Sequence, residues 1–143
     1  MILLRPSDAA QLAELEAAAF DFPWSEADLA AELAKPGAFA LGHRADGRLE
    51  AAALFSTVLD EAELLRIATR PEARRRGHGR ALLAEGLGRL AAAGIRSVHL
   101  EVEEGNLPAR LLYAELGFEE IGRRPAYYRS GAAAVLYRRD LGD

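Results

Sequence analysis

Five arginines crowd one turn of this sequence. Arg70, Arg74, Arg75, Arg76 and Arg80 surround Gly77-His78-Gly79, and an apolar helical pattern with Leu83, Leu87 and Leu90 follows at once. Like charges held this close repel one another, so the turn either gathers an anion or is a solvated basic loop. Glycines at 77 and 79 let backbone N–H groups approach a phosphate with no Cβ in the way, and a helix start adds about half a positive charge. A dinucleotide fingerprint needs a third glycine where Leu82 stands, and a Walker loop needs a Gly-Lys-Ser/Thr that is absent. The spaced glycines and the helix start favour a pyrophosphate cradle.

A second set of polar residues lies in "SVHLEVE" (97–103). In a strand, Val98, Leu100 and Val102 share one face, and His99, Glu101 and Glu103 the other. A strand inside a sheet covered on both sides is apolar on both, so this polar face points to a cleft, or else to an exposed edge strand. Tyr113, in "LLYAELGF", packs in the core with its hydroxyl at the surface or serves the same cleft. Asn106 is placed to cap the helix that carries it. Arg66 interrupts the apolar run "LLRIAT"; it faces an acceptor site or, the favoured reading, pairs with Glu61 or Glu63. Phe22, Trp24 and Tyr127 are core anchors or walls of an acceptor site. His43, His78 and His99 show no HxxxH or HxH spacing, so no metal is expected and His78 and His99 read as incidental.

The elements that position these groups follow from periodicity. "MILLR" reads as a strand and Ser7 as the cap of a helix with Leu12, Leu15 and Ala19 on one face. After Pro23, Ser25 and Asp28 form a capping box for a helix with Leu29 and Leu33, stopped by Lys35-Pro36-Gly37. Strands 38–44 and 48–59 flank an Ala-Asp-Gly turn, and a third, 62–69, ends before Pro71. The arginine turn opens a helix closed by Gly94; strand 97–102, helix 106–117 and strands 118–122 and 133–141 complete the order. This predicts one α/β domain over 1–143: a mixed sheet of about seven strands, with four helices on its two faces.

Composition bounds the function. With 143 residues, a net charge of −4 and no cysteine, the chain offers one core, local rather than global basicity, and no thiolate chemistry. No apolar run approaches the roughly 20 residues of a membrane span, and no signal pattern opens the chain, so a cytoplasmic protein with no membrane partner is expected.

Arg74-x-x-Gly77-x-Gly79 resembles the acyl-CoA signature of the GCN5-related N-acetyltransferases (GNAT), and the element order matches that fold along essentially the whole chain, which implies a central mixed, mostly antiparallel sheet. "FPWSE" (22–26) and "LEVEEGNLPARLLYAELGFEEIGRRPAYY" (100–128) are similar to the RimI-type ribosomal-protein-alanine N-acetyltransferases within it. The sequence departs from that pattern at Gly105, where a serine is usual, and at His78, where an aliphatic residue is usual. The segment 129–136 is also short and uncharged apart from Arg129. The resemblance implies acetyl-CoA as co-substrate, no metal, and a protein N-terminal α-amine, alanine above all, as acceptor. It implies cofactor contacts from Ile67, Ala68 and Thr69, from the turn Arg74, Arg75, Arg76, Gly77, His78, Gly79 and Arg80, and from Asn106. It further implies Glu101 as general base and Tyr113 as proton donor to the departing sulfur.

The chemistry asked of such residues is modest. An α-amine titrates near 7.7–8.0, so roughly a fifth or less is neutral at pH 7, and positioning two reactants in one cleft supplies most of the acceleration. A thiol near 8.5 and a phenol near 10 are close enough for proton transfer. Two other readings stand beside this one. The acceptor is a small amine such as an amino acid or amino sugar, or the protein is a non-enzymatic anion- or RNA-binding module. Nucleic acid is the weakest reading, because basic residues are scarce elsewhere and Glu103-Glu104 flank the cleft.

Overall fold

A computed structural model describes residues 1–142. In chain order the elements are β1 (Ile2–Leu4), α1 (Ala9–Ala19), α2 (Glu26–Leu33), β2 (Ala38–Ala45), β3 (Arg48–Val58), β4 (Glu61–Thr69), α3 (His78–Ala92), β5 (Ser97–Glu103), α4 (Leu107–Glu115), β6 (Glu119–Arg124) and β7 (Ala134–Asp140). The strands form one seven-stranded sheet in the order β1-β2-β3-β4-β5-β7-β6, antiparallel except between β4 and β5. This is the mixed sheet that the periodicity predicts, mostly antiparallel as the family resemblance implies. None of the helices is long and apolar enough to cross a membrane.

Alternating apolar residues give the sheet two buried faces. Leu41, Ala51, Ala53 and Phe55 meet Leu82, Leu83, Leu87 and Leu90 of α3 on one side. Ala40, Leu49, Ala52 and Leu54 meet Leu12, Leu15, Leu29 and Leu33 of α1 and α2 on the other. Gly86 is required at its position: a Cβ there collides with the Phe55 ring, so only glycine lets α3 lie this close to the sheet.

The first helix starts differently from the sequence reading. Ser7 lies inside a single 3-10 turn, Pro6–Asp8, and does not cap α1. Pro6 fixes a tight turn, and Asp8 accepts from the Arg5 N–H (2.7 Å) and from Arg44 Nη2 (2.9 Å). Ser25 does cap α2, its Oγ accepting from the Asp28 N–H at 3.1 Å.

Two departures from regular strand geometry shape the site. A bulge sets Leu54 opposite Arg66 but Phe55 opposite Leu64, leaving Leu65 as the extra residue of β4. Strand β5 then pairs with β4 only at Glu61–Glu63 against Ser97–His99, after which the two strands part. A notch opens in the middle of the sheet, between Leu64–Thr69 and Leu100–Glu103.

Candidate active site

Where β4 and β5 diverge, their facing backbone groups have no strand partner, and a cavity of about 260 Å³ forms. Its lining brings together Arg66, Ile67, Glu101, Asn106 and Tyr113, residues spread over about a third of the sequence. A larger, open cavity of about 710 Å³ adjoins it, walled by Phe22, Tyr127 and Arg129. Phe20, Arg66, Glu103 and Tyr128 line both and mark the passage between them.

Glu101 projects from the polar face of β5, with Arg124 Nη1 3.4 Å from its Oε1. Tyr128 reaches the same place; burial and then the Glu101 charge push its phenol above the ordinary value. Glu63 on β4 is raised as well, by desolvation first and by Glu101 second. Several acidic groups therefore share this face of the notch.

Tyr113 enters from α4, buried against Phe118 and Tyr137 at ring-centroid distances of 5.9 and 6.1 Å. It is core and cavity wall at once. Burial pushes its phenol well above the usual range, widening the gap to a thiol that ordinary values suggest is small. The phenol accordingly stays protonated throughout the working pH range. Asn106 caps α4 through Oδ1, which accepts from the Ala109 N–H at 3.3 Å.

The arginine turn is less basic in space than in sequence. Arg70 is buried, donating to the Leu49 carbonyl (2.8 Å) and to Glu14 (2.8 Å). Arg74 ties the end of β4 to α1, donating to the Thr69 carbonyl at 3.3 Å and the Ala19 carbonyl at 3.5 Å. Arg76 lies 3.8 Å from Glu50, and Arg80 pairs with Glu115. Arg75 stands exposed in a left-handed conformation (φ +67°).

What the turn does offer is backbone. Gly77 adopts φ +80° and its carbonyl accepts from the Ala81 N–H at 3.0 Å, so α3 begins at His78 with its first amides free of intrahelical acceptors. Gly79 needs no unusual φ, and a Cβ there meets only ordinary contacts with Ile67 and Leu112, so the fold itself does not demand glycine. Its open side faces the region between β4 and α4, beside the notch.

Arg66 corrects the sequence reading. It pairs with neither Glu61 nor Glu63 but with Glu16 of α1, through Nε (3.0 Å) and Nη2 (2.6 Å). The extra residue at Leu65 turns Arg66 towards α1. There its guanidinium also covers the rings of Phe20 (4.3 Å) and Trp24 (5.1 Å). Trp24 lines neither cavity; it backs Arg66 from within the α1–α2 core. Phe22 is exposed beneath Arg129 (4.9 Å), and Tyr127 stands edge-on to Tyr128.

Sequence reasoning did not single out Glu16, Phe20 or Tyr128; Tyr127, read as a core anchor or an acceptor-site wall, lines the larger cavity. The signal for Glu16 was a carboxylate on the apolar stripe of α1.

Two of the three histidines meet in space, while His99 stays apart beside Glu61. His43 and His78 stack with ring centroids 4.3 Å apart, beside Glu50. Burial and the neighbouring His43 hold His78 below its ordinary pKa.

Comparison with known proteins accords with this geometry. Residues 9–118 match the acetyltransferase (GNAT) family profile. The N-alpha-acetyltransferase RimI of Mycobacterium tuberculosis is 42% identical over 98% of this chain and 91% of its own length. The [ribosomal protein bS18]-alanine N-acetyltransferase of Escherichia coli is 37% identical over 87% of this chain and 84% of its own. A crystal structure of the Escherichia coli ribosomal-protein-alanine enzyme superposes with a TM-score of 0.92 at 32% identity, covering 99% of this chain and 94% of that one. The notch, the helix start beside it and these similarities agree: the chain belongs to the GNAT family of acetyltransferases.

Proposed function

We propose that this enzyme transfers the acetyl group of acetyl-CoA to the α-amine of a protein N-terminus, with an alanine of a ribosomal protein as the foremost candidate. The observation that carries the reading is the convergence of Glu101, Tyr113 and Asn106 on one notch. That notch has a helix N-terminus on one side and a wide aromatic-walled cavity on the other. The edge at Ile67, Ala68 and Thr69 faces no strand on the β5 side and suits the amides of a pantetheine arm, which can add to it as a short strand does. The free amides after Gly77 suit a diphosphate.

In this reading Glu101 takes a proton from the incoming ammonium, directly or through water, and the amine lone pair attacks the thioester carbonyl. As the tetrahedral adduct collapses, the carbon–sulfur bond breaks and the Tyr113 hydroxyl gives its proton to the sulfur. Its raised pKa makes Tyr113 a donor that is always loaded but not strongly acidic, so hydrogen bonding to the sulfur accounts for much of its effect. The proton still carried by the new amide nitrogen passes through water to the Tyr113 oxygen, and Glu101 releases the first one to solvent.

The acceptor cavity is open, which suits a peptide whose chain continues into solvent better than a small amine. Arg66 and Tyr128 stand where the first peptide residue enters. Mass spectrometry of reactions with acetyl-CoA and two acceptor sets, free-amine alanine peptides and a panel of amino acids and amino sugars, tests the acceptor. Modification of small amines alone overturns the peptide reading.

Glu101→Gln is expected to lower kcat roughly 10²–10⁴-fold with coenzyme affinity unchanged, and Tyr113→Phe to lower it less. Steady-state kinetics with calorimetric titration of the coenzyme checks both. Full turnover in Glu101→Gln removes the base.

A further inference from the structure

We propose that His43, Glu50 and His78 form a site for a divalent first-row transition ion, such as Zn²⁺, at the start of α3. The three come from β2, β3 and the first residue of α3, and one ligand atom from each lies within 4.8 Å of the other two. Glu50 is placed by a bulge: His43 pairs with Ala51 and Arg44 with Leu49, so Glu50 is the extra residue of β3 and shares the α3 side of the sheet with Ala51. The Glu50 carbonyl is held by the Arg70 N–H at 2.8 Å, which keeps the bulge fixed.

The donor set fits the ion class. Two imidazoles and a carboxylate, with no thiolate, suit Zn²⁺, Ni²⁺ or Cu²⁺ and leave a fourth position to solvent. Metal–ligand distances of about 2.0–2.2 Å place tetrahedral ligand atoms about 3.4 Å apart. His78 Nε2 and Glu50 Oε2, at 3.7 Å, are already close to that spacing. The two rings are stacked, 24° from parallel, so rotation of His43 about its side-chain bonds completes the convergence. All three residues are half-buried, which limits competition from water while leaving a path for the ion. Arg76, 3.8 Å from Glu50, is the one cation at the cluster among the described residues; its side chain is 60% exposed and free to swing outward.

An ion here links two strands to the first turn of α3 and so stiffens the exposed loop of Arg74, Arg75 and Arg76. The site does not depend on the acetyl-transfer reading, and its test needs no coenzyme. Tag-free protein stripped with a chelator is titrated with Zn²⁺ in competition with a chromogenic zinc indicator. One equivalent is expected to bind, with at least tenfold weaker binding in each of His43→Ala, His43→Asn and Glu50→Gln. Zn²⁺ is also expected to slow tryptic cleavage at residues 74–76 in the unsubstituted protein and not in the variants. Circular dichroism and melting in chelator identify any variant that fails to fold. Absence of binding to the stripped protein overturns the proposal, as does unchanged affinity in the folded variants.

Discussion

The carboxylate of Glu16 sits on the apolar stripe of α1 at 1% exposure. It accepts from Arg66 Nε and Nη2 and, at 2.9 Å, from the Trp24 N–H. One buried anion thus fixes the guanidinium at the passage between the cavities and the loop between α1 and α2. Removing its charge strands Arg66, whose side chain is 22% exposed, among Phe20 and Trp24. Breaking a pair this deep costs about 3 kcal/mol, at the lower end for buried pairs because Arg66 keeps some solvent. Glu16→Gln is therefore expected to lower stability by about that amount in urea denaturation and to raise KM for the acceptor more than for acetyl-CoA. An equal rise for both substrates would show that Glu16 does not serve the acceptor side. Both members of this pair were odd residues in the sequence, an acid on a leucine stripe and an arginine in an apolar strand. Each announced that it needed a partner; neither said which.

At the scale of elements, α3 begins beside the notch and must lie close on the sheet to present its first amides there. Gly86 permits that approach by leaving the Phe55 ring its space. Gly86→Ala forces ring or helix to move and is expected to cost about 1–3 kcal/mol. A matching shift in the urea midpoint, with unchanged slope, checks it. The element order, the Asp46-Gly47 turn and the start of α3 at the glycines were legible because each rests on local chemistry. The start of α1 was not, since Pro6 and the distant Arg44 rearranged it. The bulges at Leu65 and Glu50 were equally hidden: a bulge depends on what the neighbouring strand demands, and one strand's own alternation carries no mark of it. Consequently the side to which Arg66 points, and the meeting of His43 with His78, emerge only once the strands are paired.

At the scale of the whole molecule, Glu101, Asn106 and Tyr113, singled out through the family resemblance, line one cavity. Tyr128 and Phe20 enter because two cavities meet at their side chains. Charge behaves in the same way. The arginine turn looked like a concentrated positive patch, yet Arg70 and Arg80 are paired with Glu14 and Glu115 and Arg76 lies near Glu50, leaving Arg74, Arg75 and the backbone amides to attract an anion. Coenzyme binding is then expected to depend only weakly on salt. Acetyl-CoA at a hundred times its Kd adds about 2.7 kcal/mol of stability, which raises Tm by roughly 5–10 °C in a chain of this size. Differential scanning fluorimetry across a concentration series checks this, and a flat response counts against the binding mode.

The short seam between β4 and β5 gives that stabilisation a mechanical form. Three residues on each strand join the meander of the first half to the β5, β6 and β7 layer. Past that point the sheet is a split plank. A guest wedged along the split acts as a splint, bridging two halves that no strand pairing joins beyond Glu63 and His99, so the loaded enzyme should resist shear, heat and proteases along a line where the empty one gives way first.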